Sequence, residues 1–401
     1  MSLSARTAHD GAPNALSAAV DRARGEQGPF FDLAGGNPTT AGIPYDAAAI
    51  LGALADPCAL RYAPDPLGMA SAREAVARDW SARGADIAAS RIALTASTSE
   101  AYAVLFKILC DPGDEILVPS PSYPLLGFLA AFESVTLKPY PLVYAGRWHV
   151  DLEAMRAAIG PRTKAIVTVS PNNPTGSYLG REELEAMLAC GLPIVSDEVF
   201  ATYPLHSSGV VPEDRVASVL SAGSASGPGG RGLVFALAGL SKLAALPQMK
   251  LGWIGVGGED ALVSGAMARL ELVLDAYLSV ATPVQHALPA ILASRGVAED
   301  AIRARARTNV AAIRAITRGA PATVLDVEGG WYAILRVPDT RSEEEWALEL
   351  ATRDSVHVQP GYFFDMNRGA HLVVSLLTPE DVMEEGMKRV VACLERHERS
   401  A

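Results

Sequence analysis

Residues 233–242 read LVFALAGLSK. An almost uninterrupted apolar run, closed by Gly239, delivers Lys242 just beyond its end. A run this short, without polar alternation, suits a strand covered on both faces. Lysine is rarely buried unless it is paired or chemically engaged, so one at the end of an interior strand needs a reason. The pattern recurs upstream, and the clearest strand candidates are Glu115–Pro119, Lys164–Ser170, Leu192–Asp197 and Leu233–Leu237. Ala-rich amphipathic stretches such as Arg181–Cys190 lie between them. That alternation predicts βα units: an α/β fold with a large, mainly parallel mixed sheet covered by helices.

Outward from this centre, the Gly/Ser-rich segment Ser221–Gly232 reads as a surface loop, because cutting the chain there would separate strands of one sheet. From about Ala298 the texture changes to a long charged helix over Ala301–Arg318, strands around Ala322–Val327 and Trp331–Val337, and a closing helix over Pro379–His397. The expectation is a large domain over 45–290 and a smaller α+β domain over 291–401, joined by an N-terminal arm, 1–44. A chain of 401 residues exceeds what one core sustains.

The formal net charge of -11, with basic residues scattered, argues against a nucleic-acid surface, which needs a basic stripe. No apolar run reaches the roughly 18 to 20 residues of a membrane span, and the N-terminus lacks a secretory apolar core. A cytoplasmic protein with small-molecule ligands is expected. Cys58, Cys110, Cys190 and Cys393 form no CxxC pair and read as reduced core residues. No metal site is expected.

Four further features sit at strand ends. In TASTSEAYAVLFKILC, Ser97 and Glu100 have capping-box spacing, and such a helix start can seat a phosphate against Ser97, Thr98 and Ser99. Tyr123 stands in PSPSYP and Asn173 in SPNNPTG, each in a turn after a strand. Asp197 and Glu198 end LPIVSDE, where a carboxylate is costly unless partnered. Ligands of open α/β sheets collect at that edge.

TASTSEA, PSYP, SPNNPTG, SDEV and GLSK, in this order and spacing, resemble the class I/II aminotransferases, pyridoxal-phosphate (PLP) enzymes of fold type I. RYAPDPLGMASARE, LPQMKLGWIG, GGWYAIL and VHVQPGYFF extend the resemblance over most of the chain. It implies that Lys242 carries the cofactor as a Schiff base and moves a proton, and that Asp197 pairs with the pyridine nitrogen. By the same resemblance Asn173 donates to the ring's phenolic oxygen, Tyr123 stacks on the ring, and Ser97, Thr98, Ser99 and Ser241 surround the phosphate. Tyr62 would reach the cofactor of a second subunit, which implies a homodimer. Gly36 would let the backbone approach the substrate carboxylate. The implied reaction is ping-pong transfer of an amino group from an amino acid to a 2-oxo acid.

The chain also departs from the family pattern. Phe200 stands where a tyrosine usually donates to the phenolic oxygen, so the Schiff base should protonate more readily. Lys250 replaces an arginine on the phosphate and supplies charge without a fork, and Gly239 replaces a serine. Val373, in HLVVSLL (371–377), occupies the place of the arginine that grips the substrate carboxylate. Either Arg368 or His371 takes that carboxylate, or the substrate is held differently. A lyase of the same fold, catalysing C–S cleavage or another elimination or cyclisation, is the alternative. A non-catalytic effector domain is less favoured, since only some thirty residues precede the first matched motif and none form a helix-turn-helix.

Overall fold

In a computed structural model, residues 3–8, 14–25, 28–206, 209–222, 232–366 and 368–398 are described. Eight strands form the principal sheet: β1 (Ile92–Thr95), β2 (Glu115–Ser120), β3 (Thr136–Tyr144), β4 (Trp148–Val150), β5 (Thr163–Val169), β6 (Ile194–Asp197), β7 (Val234–Gly239) and β8 (Gly252–Gly257). Their spatial order is β1-β8-β7-β6-β5-β2-β3-β4. Neighbours from β7 through β3 are parallel, while β8 runs antiparallel to both β7 and β1, and β4 antiparallel to β3. The expected mixed sheet is therefore present, with the carboxyl ends of β1, β2, β5, β6 and β7 on one edge.

The run LVFALAG divides with period two between two apolar layers. Val234, Ala236 and Ala238 face one that includes Trp80, Ile194, Leu240 and Trp253. Phe235 and Leu237 face the other, with Phe106, Ile116, Val167 and Ile254. Each fully buried branched or aromatic side chain contributes about 1.5 to 3 kcal/mol. Double coverage explains why the strand shows no polar alternation.

A second, antiparallel sheet contains β9 (Thr323–Val324), β10 (Tyr332–Val337), β11 (Gln359–Pro360) and β12 (Ala370–Ser375), in the order β9-β10-β12-β11. Ala333, Leu335, Leu372 and Val374 face a core shared with the helices Gly296–Ile316, Glu343–Arg353 and Glu380–Glu398. Ile334 and Val373 face the opposite way, into a cluster with Trp148, Leu325, Phe364 and Met366. Trp148 belongs to β4, so this cluster joins the two sheets. Phe31–Asp32 pairs in parallel with Val356–His357, bringing the N-terminal segment onto this side of the molecule.

Several boundaries move. The charged helix begins at Gly296 rather than Ala301, because Ala298 and Ile302 reach the cluster around Trp331. The strand expected around Ala322–Val327 shrinks to two residues. Residues 223–231, most of the expected Gly/Ser loop, lie outside the described residues. The cysteines are free: Cys393 is buried, Cys110 and Cys190 are half-buried and pack against the two apolar layers, and Cys58 is exposed, so the expectation of core cysteines fails at Cys58. Among the described residues no helix is long and apolar enough to cross a membrane.

Candidate active site

Strand ends of the principal sheet build the site. Just after β1, the Ser97 hydroxyl accepts the Glu100 N–H (3.1 Å), capping the helix Thr98–Leu109. Glu100 returns to the Ala96 N–H instead of to Ser97, so the capping box closes one residue early. Thr98 and Ser99 open the helix, so their first-turn N–H groups lie at its positive end, where an anion is stabilised.

Beside this helix start the sheet is narrowed by paired glycines. Gly252 opens β8, in register with both Thr95 and Gly239. A Cβ on Gly252 would lie 3.0 Å from the Thr98 nitrogen, and one on Gly239 would lie 2.9 Å from the Gly252 Cα. A side chain at position 239, where the family pattern often has serine, would therefore push β7 and β8 apart. Lys250, two residues before Gly252, is exposed at φ 49° and enters no ion pair among the described residues.

Asp197 ends β6 and is nearly inaccessible. It accepts hydrogen bonds from the Tyr102 hydroxyl (3.2 Å) and the Val199 N–H (3.2 Å). Burial pushes its carboxyl up to about 6, although these two donors and the Lys242 charge pull the other way. Lys242 stands one strand over, three residues past β7. Burial lowers its ammonium pKa, with the Asp197 charge opposing. Its Nζ lies 5.0 Å from the centroid of Trp331 and 5.7 Å from that of Phe200. Phe200 packs edge-on against Trp331 (5.3 Å) and Tyr332 (6.4 Å), so aromatic faces occupy the ground where a tyrosine hydroxyl was expected.

Tyr123 follows β2, and burial and the Asp197 charge raise its phenol well above the ordinary range. Asn173 follows β5, and its Oδ1 is buried without a hydrogen-bond partner. Tyr123 and Asn173 border a cavity of about 350 Å³ with Pro124, Leu125, Tyr332, Gln359, Phe363 and Phe364. Gly36 adjoins it, since a Cβ on Gly36 would come within 2.4 Å of the Tyr332 hydroxyl.

The structure thus gathers Lys242, Asp197, Tyr123, Asn173, Ser97, Thr98, Ser99 and Phe200 at one sheet edge. Arg368 and His371 are not among the residues lining the cavity. Arg368 is exposed in a turn, and His371 is buried with Nδ1 3.7 Å from Glu343. Val373 is fully buried in the cluster joining the sheets. Tyr62 is 81% exposed, beside a separate pocket of about 220 Å³ with Met69, Leu274, Leu278 and Gln285. Sequence reasoning missed Tyr102, Trp331, Tyr332 and Gln359. Tyr102 was within reach of the sequence: it lies one helical turn after Thr98, on the face turned to the sheet.

PLP fits these residues. The Asn173 side-chain amide, whose Oδ1 is buried without a partner, the glycine-narrowed seat at a helix start and a buried acid beside a half-buried amine are the groups such a heterocycle with a phosphate requires.

A family model described as aminotransferase class I and II matches residues 30–390. Tyrosine aminotransferase of Bos taurus is 26% identical over 406 residues, covering 96% of this chain and 87% of that protein. S-alkyl-thiohydroximate lyase SUR1 of Arabidopsis thaliana is 29% identical over 207 residues, 50% of this chain and 42% of that protein. Among solved structures, a single mutant of Thermus thermophilus aspartate aminotransferase has a TM-score of 0.82 at 25% identity, covering 98% of this chain and all of that one.

Proposed function

The chain belongs to the aminotransferase class I and II family, and from that premise we propose the role of each residue in a PLP-dependent transamination. When bound, PLP supplies an electrophilic aldehyde and a ring that accepts an electron pair. Lys242 offers its amine to that aldehyde and later holds and returns the proton moved at the substrate carbon. Asp197, oriented by Tyr102 and Val199, stabilises a proton on the ring nitrogen. The N–H groups and hydroxyls of Thr98 and Ser99 bind phosphate, with Ser97 holding the helix start and Ser241 and Lys250 completing the rim. Tyr123 covers one ring face, and the Asn173 Nδ2 group donates to the phenolic oxygen.

One observation carries this reading: Lys242 and Asp197 sit at the ends of adjacent parallel strands, each perturbed by burial and by the other. Lys242→Ala should lower turnover with a panel of amino acids and 2-oxo acids by at least about 10³-fold, followed by the spectral change of the cofactor. Normal turnover in that variant would overturn the assignment.

Family members are usually dimeric, and we extend this to a homodimer in which Tyr62 reaches the phosphate of the partner's cofactor. Exposed Leu51, Leu60, Tyr62, Leu272 and Tyr277 supply an apolar surface for it. A monomer by sedimentation at micromolar concentration would refute this. The lyase-type relative favours a second reading, elimination by the same apparatus. Pyruvate and ammonia released from one donor without an acceptor would support that reading.

A further inference from the structure

The cavity bordered by Tyr123, Asn173 and Tyr332 is lined by apolar and neutral polar side chains, with no lysine, arginine, histidine, aspartate or glutamate among its described lining residues. Four of its eight lining residues are Tyr or Phe, and Pro124 and Leu125 extend that apolar wall. Its neutral hydrogen-bonding groups are the hydroxyls of Tyr332 and Tyr123 and the amides of Gln359 and Asn173. Resting on the transaminase reading above, we propose that the site grips the carboxyl end of its substrate with Tyr332 and Gln359 rather than with a guanidinium. The substrate it takes is an amino acid with a large apolar side chain.

The geometry behind this begins in the second sheet. Tyr332 shares its strand face with Ile334, which packs beside Val373 and away from that sheet's own core. Its hydroxyl therefore projects to Gly36, where a Cβ would collide with it. Gln359 pairs with Val373 in the backbone ladder, so an amide borders the cavity beside a position that presents only an isopropyl group. The two basic side chains close to Val373 in sequence do not line the cavity: His371 lies against Glu343, and Arg368 is exposed.

Asn173 and Tyr123 are reserved in this scheme for the cofactor, leaving Tyr332 and Gln359 for the substrate. A hydroxyl and a carboxamide each donate and accept, whereas a guanidinium only donates. They can hold a carboxylate, and they can equally hold a carboxamide. Discrimination between the two, which a charged fork makes about 10- to 100-fold or more, is therefore lost here. The same lining leaves a second carboxylate or an ammonium on the side chain without a counter-charge.

The test uses the PLP-loaded protein with phenylalanine, phenylalaninamide and glutamate as donors, comparing initial rates of cofactor conversion under single turnover. Binding of the unreactive 3-phenylpropionate and 3-phenylpropionamide is measured by calorimetry. The expected result is kcat/KM for phenylalanine and its amide within tenfold, analogue affinities within tenfold, and glutamate at least tenfold poorer. Gln359→Leu and Tyr332→Phe should each raise KM for both phenylalanine donors by about 3- to 30-fold with kcat changed less. An acid preferred over its amide by more than tenfold, or glutamate as the better donor, overturns the proposal while transamination stands. Failure of every donor to convert the cofactor would instead overturn the transaminase reading itself.

Discussion

Two carboxylates, Asp197 at the sheet edge and Glu349 in the second sheet's helical layer, are displaced in opposite directions by the same molecule. Burial raises both. At Asp197 it wins, leaving the acid at about 6 with two neutral donors and a half-buried amine. At Glu349 hydrogen bonds from Arg341, His397 and Arg396 outweigh it and bring the acid down to about 2. Arg353 adds a contact at 3.5 Å. Glu198, beside Asp197, follows the first pattern, pushed by burial to about 7 while accepting the Val219 N–H. The acids of the sheet edge are held at a cost to stability, and the acid of the helical layer stabilises the fold. A strained acid at a catalytic edge is a common trade of stability for reactivity.

Removing the strained charge gives the largest separation of the two effects. Asp197→Asn should lower transamination about 10³-fold, while raising the stability of the cofactor-free protein at pH 7.5 by about 1 to 2 kcal/mol. The sign follows from a folded pKa above the unfolded value of 3.8: the wild type is relatively stabilised below about pH 4 and loses that contribution as pH rises through about 6. The gain of the variant should therefore vanish at pH 4, as melting curves at both pH values would reveal. An Asn variant less stable than wild type at pH 7.5 would remove the contrast.

Glu349→Gln should act the other way, destabilising by about 1 kcal/mol at pH 7, discounted for solvent screening of its partly exposed cluster. Its folded pKa lies below the unfolded one, so the contribution is present above about pH 4.5 and is lost as pH falls toward 2. Activity should stay within twofold. The smallest effect belongs to Phe200→Tyr, which returns a donor to the sheet edge. The absorbance of the lysine-linked cofactor should then titrate lower by about one pH unit, with turnover changed less than about threefold. No shift would mean that Tyr at 200 does not reach the phenolic oxygen.

Most of the fold was legible because β5, β6 and β7 are covered on both faces and so advertise themselves as apolar runs. β3 was not, since TLKPYPLVY alternates exposed and half-buried residues and carries two prolines. β8, GWIGVG, hides behind glycines that are there for close packing, not for a turn. The site divides similarly. Lys242, Asp197, Asn173 and Tyr123 each follow a readable strand. Tyr332 and Gln359 come from a second sheet whose placement against the first depends on packing between distant segments. Arg368 and His371 illustrate the same limit: both stand near Val373 in sequence, but a turn exposes one and Glu343 engages the other.

The cluster of Trp148, Leu325, Ile334, Phe364, Met366 and Val373 has a consequence for inheritance of specificity. Half of the cavity wall, Tyr123 to Leu125 with Asn173, rides on the principal sheet, and the other half, Tyr332, Gln359 and the two phenylalanines, rides on the second. The width of the cavity is thus a property of the seam between sheets and not of either wall. A methyl group gained or lost at Val373 or Leu325 re-seats one wall against the other. On the proposed roles, substrate preference can therefore drift through residues outside the cavity lining, while Lys242 and Asp197, both at strand ends of the principal sheet, stay in place.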